Sequence, residues 1–286
     1  MNEQKKEDIK SNKNITDREK RVEEARKFNL LSNTFMSVAL KDKKACQYVL
    51  RILTGIKGLT VKEVRGEYRI SKMESHDAIL DILAEDETGR LYNMEIQRAD
   101  TVDHARRTRF YASMIDSEYL EKGKTYGEMP DVYIIYISET DLWKAGYTTY
   151  PIKKFFGDTG IEYDDGQHIL YVNAAVDDGS ETAKLMQYFK TADPDDMRYG
   201  DLSKRVHDLK RKEGGYAEMY DVAEKIFKEG MEQGREQGIE QGREQGIEQG
   251  KVLIIRNMLQ SGLSDEDIKK YAKATEQEIA QAKESE

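Results

Sequence analysis

The sequence predicts an α/β fold in which one sheet is flanked by helices and followed by a helical tail. Three observations predict it. The opening segment carries apolar residues at helical spacing, three strand-like runs follow with a tight polar turn between the second and third, and a later six-residue run is apolar throughout. In order these read helix, three strands, helix, strand, which describes an α/β sandwich and not a repeating βαβ unit.

Residues 1–28 are polar and poor in large aliphatics, and read as a frayed helix or a disordered arm. Phe35, Met36, Val38, Ala39 and Leu40, then Ala45, Tyr48, Val49, Ile52 and Leu53, recur at helical spacing, and Gly55 ends that helix. The strand runs are Leu59 to Ile70, His76 to Ala84 and Arg90 to Arg98. Glu85-Asp86-Glu87-Thr88-Gly89 joins the last two and closes on glycine, a hairpin signal. Val102 to Lys122 lacks proline and glycine and sets Phe110 with Met114, and Tyr111 with Ile115 and Tyr119, at i, i+4 spacing, so it is helical. Val132 to Ile137 reads as a strand covered on both faces. His168 to Val172 adds a strand, and Glu181 to Thr191 and Leu202 to Lys212 add helices. The expected division is a polar arm (1–28), one α/β domain (29–212), a glycine-periodic helix or linker (213–251) and a small helical segment (252–286).

Composition sets limits on function. The 286 residues include 46 basic and 55 acidic ones, a net charge of -9, which argues against a broadly basic nucleic-acid coat. One cysteine, Cys46, excludes an internal disulfide, and no Cys/His cluster offers a structural zinc site, so a cytoplasmic home is expected. No apolar run approaches the ~18 residues of a membrane span, and the charged N-terminus lacks the apolar stretch of a signal peptide or anchor. The charge is uneven. From Glu213 onward there are 17 acidic and 10 basic residues, net -7, leaving net -2 for everything before.

The tail carries the sequence GMEQGREQGIEQGREQGIEQG, with glycine at 230, 234, 238, 242, 246 and 250. Six glycines in a helix cost about 5 kcal/mol relative to alanine, and Glu232, Glu236 and Glu240 repeat like charge at i, i+4. Two readings stand: a helix whose small-residue stripe admits a second helix, giving a homo-oligomer, or a solvated spacer. Beyond it, Lys251 to Gln260 reads as helical, Gly262 ends it, and Ser264 can N-cap a short helix through Ile268 to Ala274.

The chemistry sits in the hairpin. Strand alternation puts Glu95 and Gln97 on one face and Ile96 on the other. A three-residue loop Glu87-Thr88-Gly89 makes opposing residue numbers sum to 176, which sets Asp81 across from Glu95, ~5 Å away between Cβ atoms. A one-residue slip would send the two carboxylates to opposite faces. Like charges among Leu80, Ile82, Met94 and Ile96 require a cation between them. Magnesium is the candidate, held by Asp81, Glu95 and the Ile96 carbonyl, able to polarise a phosphodiester and activate a water that Gln97 orients. The alternative is that Asp81 pairs with an arginine or strand edge and Glu95 faces solvent.

These residues resemble the PD-(D/E)XK nuclease superfamily, in the branch of Rpn-type recombination-promoting nucleases or PD-(D/E)XK family transposases. The likeness runs from about Phe35 through Trp143 and includes Ser75-His76-Asp77-Ala78-Ile79-Leu80-Asp81, Glu95-Ile96-Gln97-Arg98, Arg107-Thr108-Arg109-Phe110-Tyr111 and Gly123-Lys124-Thr125-Tyr126. The glycine-periodic tail and GLSDEDI are also similar. The resemblance implies a restriction-endonuclease-like αβββαβ core and a magnesium-dependent DNA endonuclease linked to recombination. Asp81 and Glu95 fall on the family's acidic positions, and Gln97 on its usual lysine, a replacement this branch shares.

Arg107 and Tyr111 share a face of the following helix, where they could reach the scissile phosphate, or where Tyr111 is core and Arg107 pairs with Glu95. Arg106 and Arg109 are expected to contact DNA phosphates or solvent. Asp77 could join the metal shell or be solvated, His76 could act as a base or be structural, and Asp42 is a candidate extra acidic ligand. A catalytically silent protein that keeps the fold and assembles through its C-terminal helix is the competing function.

Overall fold

The computed structural model describes residues 17–71, 77–97, 103–120 and 122–284. The chain divides into two compact units, residues 1–225 and 226–286.

The first unit opens with a helix over 17–25 (α1), then α2 (Asn33–Leu40) and α3 (Lys43–Thr54). The single opening helix expected from periodicity is thus two. Asp42 causes the break: its extended backbone leaves the helical region, and its side chain accepts from the Lys44 and Ala45 N–H groups as the N-cap of α3. Asp42 is therefore a cap, with Oδ1 of its carboxylate accepting both helix N–H groups. Gly55, left-handed at φ 72°, ends α3 as expected.

Strands β1 (Val61–Ile70), β2 (Ala78–Asp86) and β3 (Leu91–Gln97) form an antiparallel meander, and α4 (His104–Tyr119) leads to β4 (Val132–Ser138), parallel to β3. β5 (Thr149–Pro151) and β6 (Gln167–Asn173) complete a six-stranded sheet in the order β1-β2-β3-β4-β6-β5. The edge strand β5 is three residues ending on proline, too short to give a periodic signal, and is set by its antiparallel pairing to β6. Helices α5 (Glu181–Thr191) and α6 (Gly200–Arg211) follow.

The β2–β3 hairpin fixes the site. The observed pairs, Ile82 with Met94, Leu83 with Asn93, Ala84 with Tyr92 and Glu85 with Leu91, keep the register read from the turn. Gly89 takes φ 85°, the left-handed value the loop needs. Asp86 pins the turn from inside: its Oδ1 accepts from the Thr88 N–H at 2.9 Å, the Thr88 hydroxyl at 2.6 Å and the Arg90 N–H at 3.0 Å, and its Oδ2 from the Tyr92 hydroxyl at 2.9 Å. Burial works to raise its pKa, yet these bonds hold it below the usual carboxylate value.

Alternation sorts the sheet. Leu83, Leu91, Val132 and Ile134 pack under Tyr111, Ala112, Met114 and Ile115 of α4. On β1, Gly66 pairs with Ile82, and a methyl group added at Gly66 would come within 2.5 Å of Lys41 Cε, so this glycine leaves room for the Lys41 side chain to lie across the strand.

The tail is helical. One helix, α7 (Tyr216–Gln260), contains the whole glycine-periodic segment, and the space where each Cβ of Gly230 to Gly250 would stand is open for 4 Å. Arg235 pairs with Glu232, and Arg243 with Glu240 at 2.6 Å, each worth a few tenths of a kcal/mol. In the second unit α8 (Asp265–Ala272), N-capped by Ser264, and α9 (Glu276–Glu284) close a small core of Val252, Ile255, Ile268, Ala274, Ile279 and Ala282. α9 lies within the segment 252–286 that the sequence reads as helical, although no spacing singles it out. Among the described residues, no helix is long and apolar enough to cross a membrane.

Candidate active site

Asp81 and Glu95 meet where the hairpin ladder gives way to side chains. The Asp81 N–H donates to Glu95 Oε1 at 3.2 Å, and the Ile96 N–H donates to Asp81 Oδ2 at 2.9 Å. Each carboxylate thus takes a backbone N–H of the opposite strand, and the register puts both on the α4 face. From the other direction the Ser37 hydroxyl of α2 donates to the Asp81 carbonyl at 3.2 Å.

The two acids differ in environment. Asp81 is half-buried, whereas Glu95 is only 5% exposed. Burial first, and the Asp81 charge second, push the Glu95 carboxyl well above the usual carboxylate range; the Asp81 N–H and the Arg107 charge oppose this. A buried glutamate beside a second acid is a costly arrangement for a fold to maintain without a cation.

α4 supplies the positive charge. Arg107 donates from Nη1 to Gln97 Oε1 at 2.7 Å and from Nη2 to the Tyr111 hydroxyl at 3.0 Å. Burial opposes the charge on Arg107, but the Tyr111 bond and nearby Tyr111, Tyr136 and Glu95 strengthen it, so its pKa rises. Tyr111 itself is 8% exposed, and burial, with Glu95, raises its pKa. It packs in the core and at the same time holds Arg107, so its two sequence readings describe one side chain. Gln97 is fixed through its amide oxygen by Arg107, an arrangement a lysine at this position could not make.

Other expected residues lie elsewhere. Arg106 is exposed and ion-paired with Asp103 at 3.2 Å, and Arg109 is exposed on the same helix. Asp77 stands 3.4 Å from Arg69 in an ion pair at the start of β2. His76 and Arg98 lie outside the described residues.

Two neighbours escaped the sequence reading. Tyr136 pairs with Glu95 across the parallel β3–β4 register, its hydroxyl lies 3.0 Å from His104 Nδ1, and burial raises its pKa to about 12. Nothing local signals either residue, because both reach the site through β4 and the first turn of α4.

A six-stranded mixed sheet with an antiparallel hairpin delivering Asp81, Glu95 and Gln97 beneath a helix is a PD-(D/E)XK nuclease-like fold with a helical C-terminal region. Residues 49–188 match the model of the PD-(D/E)XK nuclease family transposases. No curated protein and no solved structure shows a significant match to the chain.

Proposed function

We propose that this protein is a magnesium-dependent DNA endonuclease of the recombination-promoting, transposase-associated kind, hydrolysing phosphodiesters at the face formed by Asp81, Glu95 and Gln97. The observation that carries this reading is the burial of Glu95 against Asp81 on the face that also receives Arg107.

The donors fit a hard divalent cation. Asp81, Glu95 and the Ile96 carbonyl offer oxygen only, and the strongly raised Glu95 pKa marks a negative charge that a cation would hold ionised. Asp81 and Glu95 supply two carboxylates, which suits magnesium because it takes one or two and retains several waters. When bound, the ion supplies positive charge where the phosphoryl oxygens gain negative charge.

The chain's own residues do the rest. Arg107, held by Gln97 and Tyr111, presents a fixed cation to the phosphate. Gln97, its amide plane set by Arg107, orients the attacking water. Tyr111 acts through Arg107, and the exposed Arg106 and Arg109 meet neighbouring phosphates.

The test is nicking or cutting of DNA in magnesium by the wild type, Asp81→Ala and Glu95→Ala. Cleavage by the wild type that disappears in both variants and in EDTA is expected. Equal cleavage by either variant, or in EDTA, overturns the reading.

A second reading, a silent scaffold that self-associates through α7, is favoured by the open glycine stripe together with exposed Met231, Ile239 and Ile247. It requires no cleavage with any divalent metal and a change of oligomeric state on deleting residues 229–286. A monomer by light scattering with and without those residues removes it.

A further inference from the structure

The junction between α2 and α3 lies against α6, and the two elements enclose a groove of about 550 Å³. Lys41, Lys43 and Lys44 line one side, and Lys204 and Arg205 the other. None of the segments is a long basic run, and the cluster exists only because α6 returns to the opening helices.

The charges of the groove are not equally available. Arg205 is committed, donating from Nη1 to Glu218 Oε1 at 3.1 Å and from Nη2 to the Val38 carbonyl at 3.2 Å. Two of the three acids along the groove are also occupied: Asp42 caps α3, and Asp208 pairs with Lys212 at 2.6 Å. Asp201 stands against the four lysines, all of them exposed. Lys43 and Lys44 also occupy the first turn of α3, where the helix dipole disfavours cations and the Asp42 cap is the acid beside them. In a chain of net charge -9, this placement gathers positive charge along one concave surface.

The groove lies on the face of the sheet opposite the Asp81 and Glu95 carboxylates, linked to their site through backbone. α2 touches Asp81 through Ser37, and one turn later Lys41 lies on Gly66, whose partner Ile82 follows Asp81 in the chain.

We infer that this groove is a second DNA-binding surface, separate from the cleavage site, in which Lys41, Lys43, Lys44 and Lys204 bind backbone phosphates. The inference rests on the reading of the protein as a DNA enzyme for its choice of polyanion. Binding here is independent of base sequence, because lysines on phosphates carry no base readout.

The experiment measures binding of a short labelled DNA duplex by fluorescence anisotropy across a salt series, in EDTA so that no cleavage occurs. Every phosphate that is no longer neutralised lowers the slope of log K against log salt by about 0.9, so K43Q/K44Q/K204Q should reduce the slope by ~2–3 and the affinity about tenfold or more. K43R/K44R/K204R should keep the wild-type slope. K57Q/K190Q/K270Q, which removes three exposed lysines elsewhere, should change it much less. A groove variant with the wild-type slope, a control that weakens as much, or a wild type that does not bind the duplex at low salt overturns the inference. The two readings fail separately. A reduced slope in the groove variant with a wild type that never cuts removes the endonuclease and leaves the groove, whereas an unchanged slope beside Asp81-dependent cutting does the reverse.

Discussion

Replacing Glu95 with glutamine should make the protein more stable and less active at once. The substitution keeps the shape and the oxygen that accepts the Asp81 N–H, but removes a charge that is 5% exposed and faces a second carboxylate. Two unit charges ~5 Å apart repel by about 3 kcal/mol at an effective dielectric of ~20. Attraction to Arg107 and the partial exposure of Asp81 reduce this, leaving an expected gain of ~1–2 kcal/mol, or roughly 2–8 °C in Tm. The pH dependence has a definite sign. Because the folded Glu95 pKa lies above its unfolded value, the folded state binds the extra proton, so wild-type stability falls as pH rises from about 4 through the folded pKa. The advantage of the variant should therefore be absent near pH ~4 and fully present once the wild-type carboxyl ionises. Trp143, the only tryptophan, packs edge-on against Tyr171 in the sheet unit and reports its unfolding in denaturant with EDTA present. Magnesium should raise the wild-type midpoint and leave the variant unmoved. A variant less stable than wild type by ~1 kcal/mol or more in EDTA would mean that the carboxylate is structural, and the reasoning fails.

Three further outcomes follow from the same side chains. Asp42→Ala should cost ~1 kcal/mol of stability through removal of the N-cap and leave DNA cleavage unchanged; a variant with wild-type stability and no cleavage would return Asp42 to the metal. Tyr111→Phe deletes the hydroxyl that accepts from Arg107, and should lower kcat about tenfold with a smaller change in KM, so steady-state kinetics showing an unchanged kcat would mean Arg107 is held without it. Lys210, 6% exposed and bonded to the Ala192 carbonyl at 2.8 Å, has its pKa lowered to about 8 by burial. Between pH ~8 and ~10.4 the unfolded chain holds the extra proton, so this lysine should add ~1–2 kcal/mol of stability as pH rises, measured against Lys210→Met; a difference that stays flat with pH refutes it.

Much of the fold could be read from the chain because its signals are local. The turn Glu87-Thr88-Gly89 is short enough that its one left-handed residue sets the register, and the register alone carries Asp81 to Glu95. The helix Glu181–Thr191 and the apolar strand at Val132 were equally plain, since each announces itself within its own residues. The break at Asp42 was not, because a single capping residue inside an otherwise continuous apolar pattern does not disturb the period. Nor was the helicity of the glycine segment, where propensity argues against the helix α7 forms.

By itself, then, the sequence determined the acidic pair, its face, the αβββαβ order and the uneven charge. It also suggested that DNA would be held by a metal and the arginines of one helix. Only the tertiary structure decided who surrounds the pair and where the remaining positive charge gathers. Tyr136 reaches Glu95 through a parallel strand, and His104 reaches Tyr136 through the start of α4. Lys204 reaches Lys43 and Lys44 only when α6 packs back onto α3. The physical reason is the range of the information. A turn or a strand period fixes neighbours a few residues apart, whereas parallel pairing and helix packing join residues distant in the chain, whose closeness leaves no local pattern to read.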